Sequence, residues 1–319
     1  MAEPARRHLI SLADLADTDL RLIVRRGVEY AQCRPTGERP LRDLVAGILF
    51  RKTSTRTRTS FSAGALRLGA QLVTYGPGDL QENTGETIED TAAVLSGMLD
   101  VLVVRTAGDE AELRAYAVNR RMAVINAMCA DEHPTQALAD LTTLAQRFGK
   151  VEGLRVLYVG EGNNTASALT LALSRYSGTA LYLRTPPGYG VAQRFLDRAQ
   201  LNAKHTGALV EERHDMAFLP PVDVVYTTRW QTTGTVKHTE NWREVFAPFQ
   251  VGAAVMAGTG AEVFLHDLPA HRGEEVTAEV LDGTASLAFR QAENKYHSAR
   301  AVLEWCAVPE TRGDPVRHV

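Results

Sequence analysis

The sequence predicts an α/β protein: two doubly wound parallel-sheet domains, with a C-terminal helix packing back on the first domain. Three observations carry this. Short apolar runs recur along the chain, each separated from the next by a stretch of helical spacing. A length of 319 residues, 45% of them hydrophobic, is ample for a buried core and suggests two domains rather than one. The alternation restarts after Gly149, and the final helical pattern has no strand after it.

In the first half, residues 44–50, 71–75, 101–104 and 123–126 read as buried strands. The helical stretch 57–68 places Phe61, Ala65 and Leu68 on one face. Residues 87–98 begin on Thr87, a capping residue type, and are expected to carry Val94 and Leu95 inward. A third helix is expected at 109–119. The stretch 134–148 opens on Pro134, whose missing N–H costs nothing at a first helical position. Leu138, Leu141, Leu144 and Phe148 follow at helical spacing, and Gly149 suits a C-terminal cap.

In the second half, strands are expected at 155–159, 180–183, 209–212, 222–227 and 262–265, and helices at 165–176, 191–203 and 242–246. A last helix spans about 286–305. The expected organisation is a first domain at 1–149, a second at 150–285, a returning helix at 286–308 and a polar tail at 309–319.

Lys and Arg total 35 and Asp and Glu 38, a formal charge of −3, which argues against broad nucleic-acid binding. Cys33, Cys129 and Cys306 are odd in number and lack metal-ligand spacing, so they read as reduced thiols in a cytoplasmic protein. No signal-type apolar core follows the N-terminus, and no run approaches a membrane span.

The stretch Arg51-Lys52-Thr53-Ser54-Thr55-Arg56-Thr57-Arg58 falls between an expected strand end and an expected helix start. Free backbone N–H groups and the helix dipole favour an anion there. Ser54, Thr55 and Thr57 add hydroxyl donors, while Arg56 and Arg58 add charge and planar multi-donor recognition. Taken alone, such a cluster is more often a solvated basic turn. Arg105 follows the strand 101–104, and His133 and Gln136 flank Pro134, with His133 in the capping position. A lone histidine there would be a local cap or a satisfied buried ring. Three strand-end sites converging at an open-sheet crevice favour a binding site instead.

Ser54-Thr55-Arg56-Thr57-Arg58, Arg105 and His133-Pro134-Thr135-Gln136 together resemble the carbamoyl-phosphate motif of the aspartate and ornithine carbamoyltransferases. The likeness runs from about Leu9 to Trp305 and includes Thr84-Gly85-Glu86-Thr87, Gly160-Glu161-Gly162-Asn163-Asn164, His266-Asp267-Leu268-Pro269 and Gln291-Ala292-Glu293-Asn294. The resemblance implies two α/β domains with the site in the cleft between them. It also implies a trimer, or a multiple of trimers, in which a loop completes the neighbouring subunit's site. Gln81 matches the ornithine-type residue that reaches across, and Thr84 stands where aspartate-type enzymes carry a lysine.

The implied reaction is attack of a neutral amine on carbamoyl phosphate, releasing phosphate and a ureido product, with no metal or organic cofactor. Ser54, Thr55, Arg56 and Thr57 are expected to hold the phosphate, with Lys295 near it where ornithine enzymes carry an arginine. Arg105, His133 and Thr57 are expected to face the carbonyl oxygen, each well-aimed donor being worth about 3 kcal/mol in the transition state. Gln136 and the backbone at Leu268 would hold the carbamoyl NH2. Arg58 is expected to bind a carboxylate such as Glu86.

The acceptor side departs from both family patterns. Asn163 and Asn164 look like the ornithine-type pair that meets the amino-acid backbone, whereas Thr228-Arg229-Trp230-Gln231 looks aspartate-type, with Arg229 and Gln231 meeting a carboxylate. Ornithine enzymes have an aspartate at the place of Thr228 and follow it with Ser-Met-Gly, where this chain has Thr232-Thr233-Gly234. Asp267 stands where ornithine enzymes have cysteine and aspartate enzymes proline. It would attract an ammonium group and could take a proton from the attacking amine. A structural carboxylate bonded to backbone N–H groups is the plain alternative. The expected acceptor carries an amine and a carboxylate: ornithine, or a shorter or modified diamino acid. An aspartate-type enzyme and a non-catalytic regulatory subunit are the alternatives. A dinucleotide fold is a weaker one, since the third glycine position after Gly160 and Gly162 is Thr165.

Overall fold

The structure, a computed structural model, describes residues 5–32, 39–231, 237 and 240–308. Strands β1 (Val45–Phe50), β2 (Gln71–Tyr75), β3 (Val101–Arg105) and β4 (Ala123–Met128) form a parallel sheet in the order β2-β1-β3-β4. Strands β5 (Arg155–Val159), β6 (Ala180–Arg184), β7 (Leu209–Arg213), β8 (Val224–Thr227) and β9 (Val263–His266) form a second parallel sheet, ordered β7-β6-β5-β8-β9. Strand order reverses between β1 and β3 and again between β5 and β8. Open parallel sheets bind ligands beyond the carboxyl ends of the strands at such reversals.

Helices connect and flank the strands: α1 (Asp17–Gln32), α2 (Arg56–Leu68), α3 (Ile88–Leu95), α4 (Glu110–Tyr116), α5 (Pro134–Phe148), α6 (Asn164–Leu173), α7 (Gln193–Thr206), α8 (Trp242–Phe246), α9 (Ala253–Thr259), α10 (Ala278–Leu281) and α11 (Ala288–Ala307). The parallel α/β fold and the returning last helix are as the sequence indicates, since α11 packs on α1, α2 and α5. The main apolar cluster is continuous from Ile48, Val103 and Ile125 through Leu138, Leu141 and Val302 to Leu169, Val156 and Tyr226. Residues of both sheets therefore share one core with the helices between them. At Gly27 of α1 an added Cβ would lie 2.8 Å from the Thr142 hydroxyl of α5, so glycine permits the close approach of these helices.

Three expectations need correction. Strand β2 is not buried. It is the sheet edge, and Gln71, Val73 and Thr74 are exposed. Val94 is 55% exposed, because α3 turns Thr91, Ala92 and Leu95 inward. A residue adjacent to Leu95 is rotated about 100° away on the helix. Helices α1, α9 and α10 were not foreseen. Among the described residues, no helix is long and apolar enough to cross a membrane.

Candidate active site

A cleft of about 260 Å³ lies where the two strand-order reversals face each other. Its lining includes Ser54, Thr55, Arg56 and Thr57 after β1, Arg105 ending β3, and His133 and Gln136 opening α5. From the second sheet come Asn163, Asn164 and Thr165 after β5, Thr228, Arg229 and Gln231 after β8, and Asp267 and Leu268 after β9. Lys295 enters from α11.

Thr55 is the N-cap of α2 but makes no side-chain capping bond, so the first-turn N–H groups have no side-chain cap. Arg56 and Arg105 each have a buried Nε without a hydrogen-bond partner among the described residues. Burial, then the like charge of Arg56, pulls the Arg105 guanidinium down to about 10, with Asp267 opposing. Burial lowers Arg56 too. Burial also pulls Lys295 down, against the opposing field of Asp267. An anion in this cleft would relieve all three.

His133 occupies the N-cap position of α5, but its ring makes no capping bond. Its backbone N–H donates to the Asn164 carbonyl at 3.1 Å, and its Nδ1 lies 3.3 Å from the Thr135 hydroxyl. Burial, with Lys295 and Arg105 nearby, holds the imidazole well below its ordinary value, so the ring is neutral at neutral pH. A neutral ring donates one N–H without adding charge. Gln136 donates its amide to Asp140 at 2.7 Å, which turns its Oε1 away; that oxygen is buried with no partner among the described residues. An acceptor so placed suits an NH2 group. Asp140 also accepts from Gln291 of α11 at 2.6 Å and Tyr226 of β8 at 3.1 Å, so one carboxylate locks elements from both halves.

Asp267 accepts from the Thr165 hydroxyl at 2.9 Å and from the Thr228 hydroxyl at 3.0 and 3.1 Å. Among the described residues its hydrogen-bond partners are side-chain hydroxyls rather than the backbone N–H groups expected of a structural carboxylate. It is the one carboxylate in the cleft lining among the described residues. Leu268 is in a left-handed conformation with φ 53, and its N–H donates to His266 Nδ1 at 2.8 Å. His266 is in turn held by the buried Glu275 at 3.2 Å.

Asn163 caps α6 through Oδ1, and Asn164 donates to the Cys129 carbonyl at 2.7 Å. Gly162 has no room for a Cβ, which would lie 2.2 Å from the backbone of Gly190. The chain itself fills that side of the turn, where a dinucleotide would need its pyrophosphate.

Gln81 does not line this cleft. It lies in an exposed 3-10 turn, Gln81–Thr84, and accepts from the Thr84 hydroxyl. Arg58 is exposed and makes no ion pair with Glu86 among the described residues; Glu86 accepts from Thr91 instead. Thr232, Thr233 and Cys33 lie outside the described residues. Thr165 and the Asp140 network were missed by sequence reasoning. Asp140 sits at the fourth position after Gln136, a helical spacing that could have paired them.

Two family models cover this frame. Residues 7–146 match the aspartate/ornithine carbamoyltransferase carbamoyl-P binding domain, and residues 152–306 match the Asp/Orn binding domain. The chain belongs to the aspartate/ornithine carbamoyltransferase family. It is a carbamoyltransferase by that membership. Ornithine carbamoyltransferase of Anoxybacillus flavithermus is 39% identical over 303 residues, covering 93% of this chain and 95% of the relative. That of Bacillus subtilis is 36% identical over 301 residues, covering 93% of each. The solved ornithine carbamoyltransferase of Pyrococcus furiosus superposes with a TM-score of 0.88 at 35% identity, over 95% of this chain and 97% of that one. This carbamoyltransferase shares its two-sheet frame with that structure.

Proposed function

We infer that the protein moves the carbamoyl group of carbamoyl phosphate to the amine of an amino acid, with ornithine or a shorter or modified diamino acid as acceptor. The observation that carries this is one cleft joining a cationic phosphate end to an amine-attracting carboxylate. Ser54, Thr55, Arg56, Thr57 and Lys295 hold the phosphate. Arg105, Thr57 and the neutral His133 ring donate to the carbonyl oxygen as it gains charge. Gln136 Oε1 and the Leu268 carbonyl accept from the carbamoyl NH2. Arg229 and Gln231 take the acceptor's carboxylate, Asn163 and Asn164 its backbone, and Asp267, steadied by Thr165 and Thr228, receives the ammonium proton. The amine then attacks the carbonyl carbon, the C–N bond forms, the C–O bond to phosphate breaks, and the departing phosphate takes the remaining surplus proton from the new nitrogen, leaving a ureido product and hydrogen phosphate.

Residues 1–149 form the carbamoyl-phosphate half, 150–285 the acceptor half, and 286–308 the helix that ties them. The active form is a cytoplasmic homotrimer or a multiple of it, with Gln81 completing the neighbouring site. The exposed edge strand β2, and Val73, Val94 and Met98 at 39, 55 and 69% exposure, support an assembled state. The test is phosphate release from carbamoyl phosphate with ornithine, lysine, putrescine, aspartate and shorter diamino acids. Turnover with a diamino acid supports the reading. Release with aspartate alone, or with no amine, overturns it.

A further inference from the structure

Lys237 is a charged residue in an unusual place. Its side chain is 3% exposed, and Nζ pairs with Glu161. Three aromatic rings surround the ammonium: Tyr189 and Phe246, each with its centre 4.7 Å from Nζ, and Trp242 at 6.0 Å. The rings also pack on one another. Phe246 meets Tyr189 edge-on at 4.8 Å, Trp242 at 5.7 Å and Trp230 at 5.8 Å. Burial pulls the ammonium down from its ordinary value, and Glu161 opposes that. One carboxylate and three ring faces together replace the water the ammonium has lost.

The cage adjoins residues on the acceptor side of the cleft. Trp230, which packs on the cage ring Phe246, lies between Arg229 and Gln231, which both line it. Glu161 is two residues before Asn163, which lines it and caps α6. The Tyr189 carbonyl accepts from the Gly162 N–H at 2.7 Å, joining the third wall to the same turn. Through Phe246, the cation at the centre thus joins Trp230, after β8, to Glu161 in the turn after β5.

We propose that Lys237 is a positioning residue for the acceptor amino acid. Held by Glu161 and the aromatic cage, it fixes the backbone that presents Arg229 and Gln231, and the turn that presents Asn163, to a carboxylate-bearing amine. At the phosphate end of the cleft, Ser54 to Thr57 follow β1 and Arg105 ends β3, both in the first sheet, whereas the described cage residues come from segments after β5, β6 and β8. This inference rests on assigning those residues to the acceptor.

Lys237→Met keeps the side-chain length and removes the charge. The expected result is an acceptor KM raised about tenfold or more, with the KM for carbamoyl phosphate within about twofold of the parent. Lys237→Arg should restore most of the loss, since a guanidinium also stacks on rings. Glu161→Gln should raise the acceptor KM in the same direction. It should also speed tryptic cleavage after Lys237, read by mass spectrometry on the native oligomer. Equal rises in both KM values, or no rise in either variant, mark a packing residue and overturn the proposal. If no amine supports turnover of the parent protein, the functional reading fails. Cleavage after Lys237 then still decides the anchor: an unchanged rate in Glu161→Gln sinks it.

Discussion

Replacing Asp267 by asparagine separates a chemical role from a structural one. Asp267 is held by two hydroxyls, Thr165 at 2.9 Å and Thr228 at 3.0 and 3.1 Å. An asparagine keeps both bonds if one hydroxyl donates to its oxygen and the other accepts from its NH2. The fold therefore loses about 1 kcal/mol at most. The cleft loses its carboxylate, while Arg56, Arg105 and Lys295 remain. Carbamoyl phosphate then meets a more positive site, so its KM stays the same or falls. Removing the proton acceptor is expected to cut turnover by about 10²–10⁴, or roughly 3–5 kcal/mol of barrier. The assay is phosphate release at saturating carbamoyl phosphate, with thermal unfolding as the control. Turnover within about threefold of the parent, for every amine accepted, would refute the assignment.

Other outcomes follow from the buried ionisable groups. Glu132 is fully buried, accepts from Ser11 and from the Leu12 N–H, and burial pushes it from 4.5 up to about 7. Its stabilising contribution is fully present below pH 4.5 and is lost as pH rises through about 7, so Glu132→Gln should gain roughly 3 kcal/mol relative to the parent across that window. Unfolding curves showing a gap independent of pH would exclude this. Burial lowers Lys295 from its ordinary 10.5, so kcat/KM for carbamoyl phosphate should fall on an alkaline limb below that value. Lys295→Arg should move the limb upward, and an unmoved limb removes Lys295 from the phosphate site. Asp140→Ala removes the oxygen to which the amides of Gln136 and Gln291 both donate, at a cost of about 1–3 kcal/mol for each donor left unpaired. It should raise the KM for carbamoyl phosphate, and an unaltered KM would show that Gln136 needs no such clamp.

Local pattern made the strands and the phosphate-side loops readable, because both depend on residues close in sequence. The runs before Arg51 and Arg105 are apolar, and the polar residues after them cluster where a parallel sheet ends. The burial of β2 was not readable, since edge and centre strands share a composition and differ only in neighbours. Helix α1 is legible in the pattern itself: Leu20, Ile23, Val24 and Gly27 keep helical spacing and are buried. The partners of Asp267 lie 102 and 39 residues away along the chain. Tyr189, Trp242 and Phe246 likewise meet around Lys237 only after folding. No local pattern announces contacts of that range.

The last long helix closes a circuit between distant parts of the chain. Gln291 accepts from the His266 N–H at 2.9 Å and donates to Asp140, and Lys295 lines the cleft. Strand β9, helix α5 and the cleft are therefore fastened by one segment, so a slip of α11 by a single turn would unseat all three contacts at once.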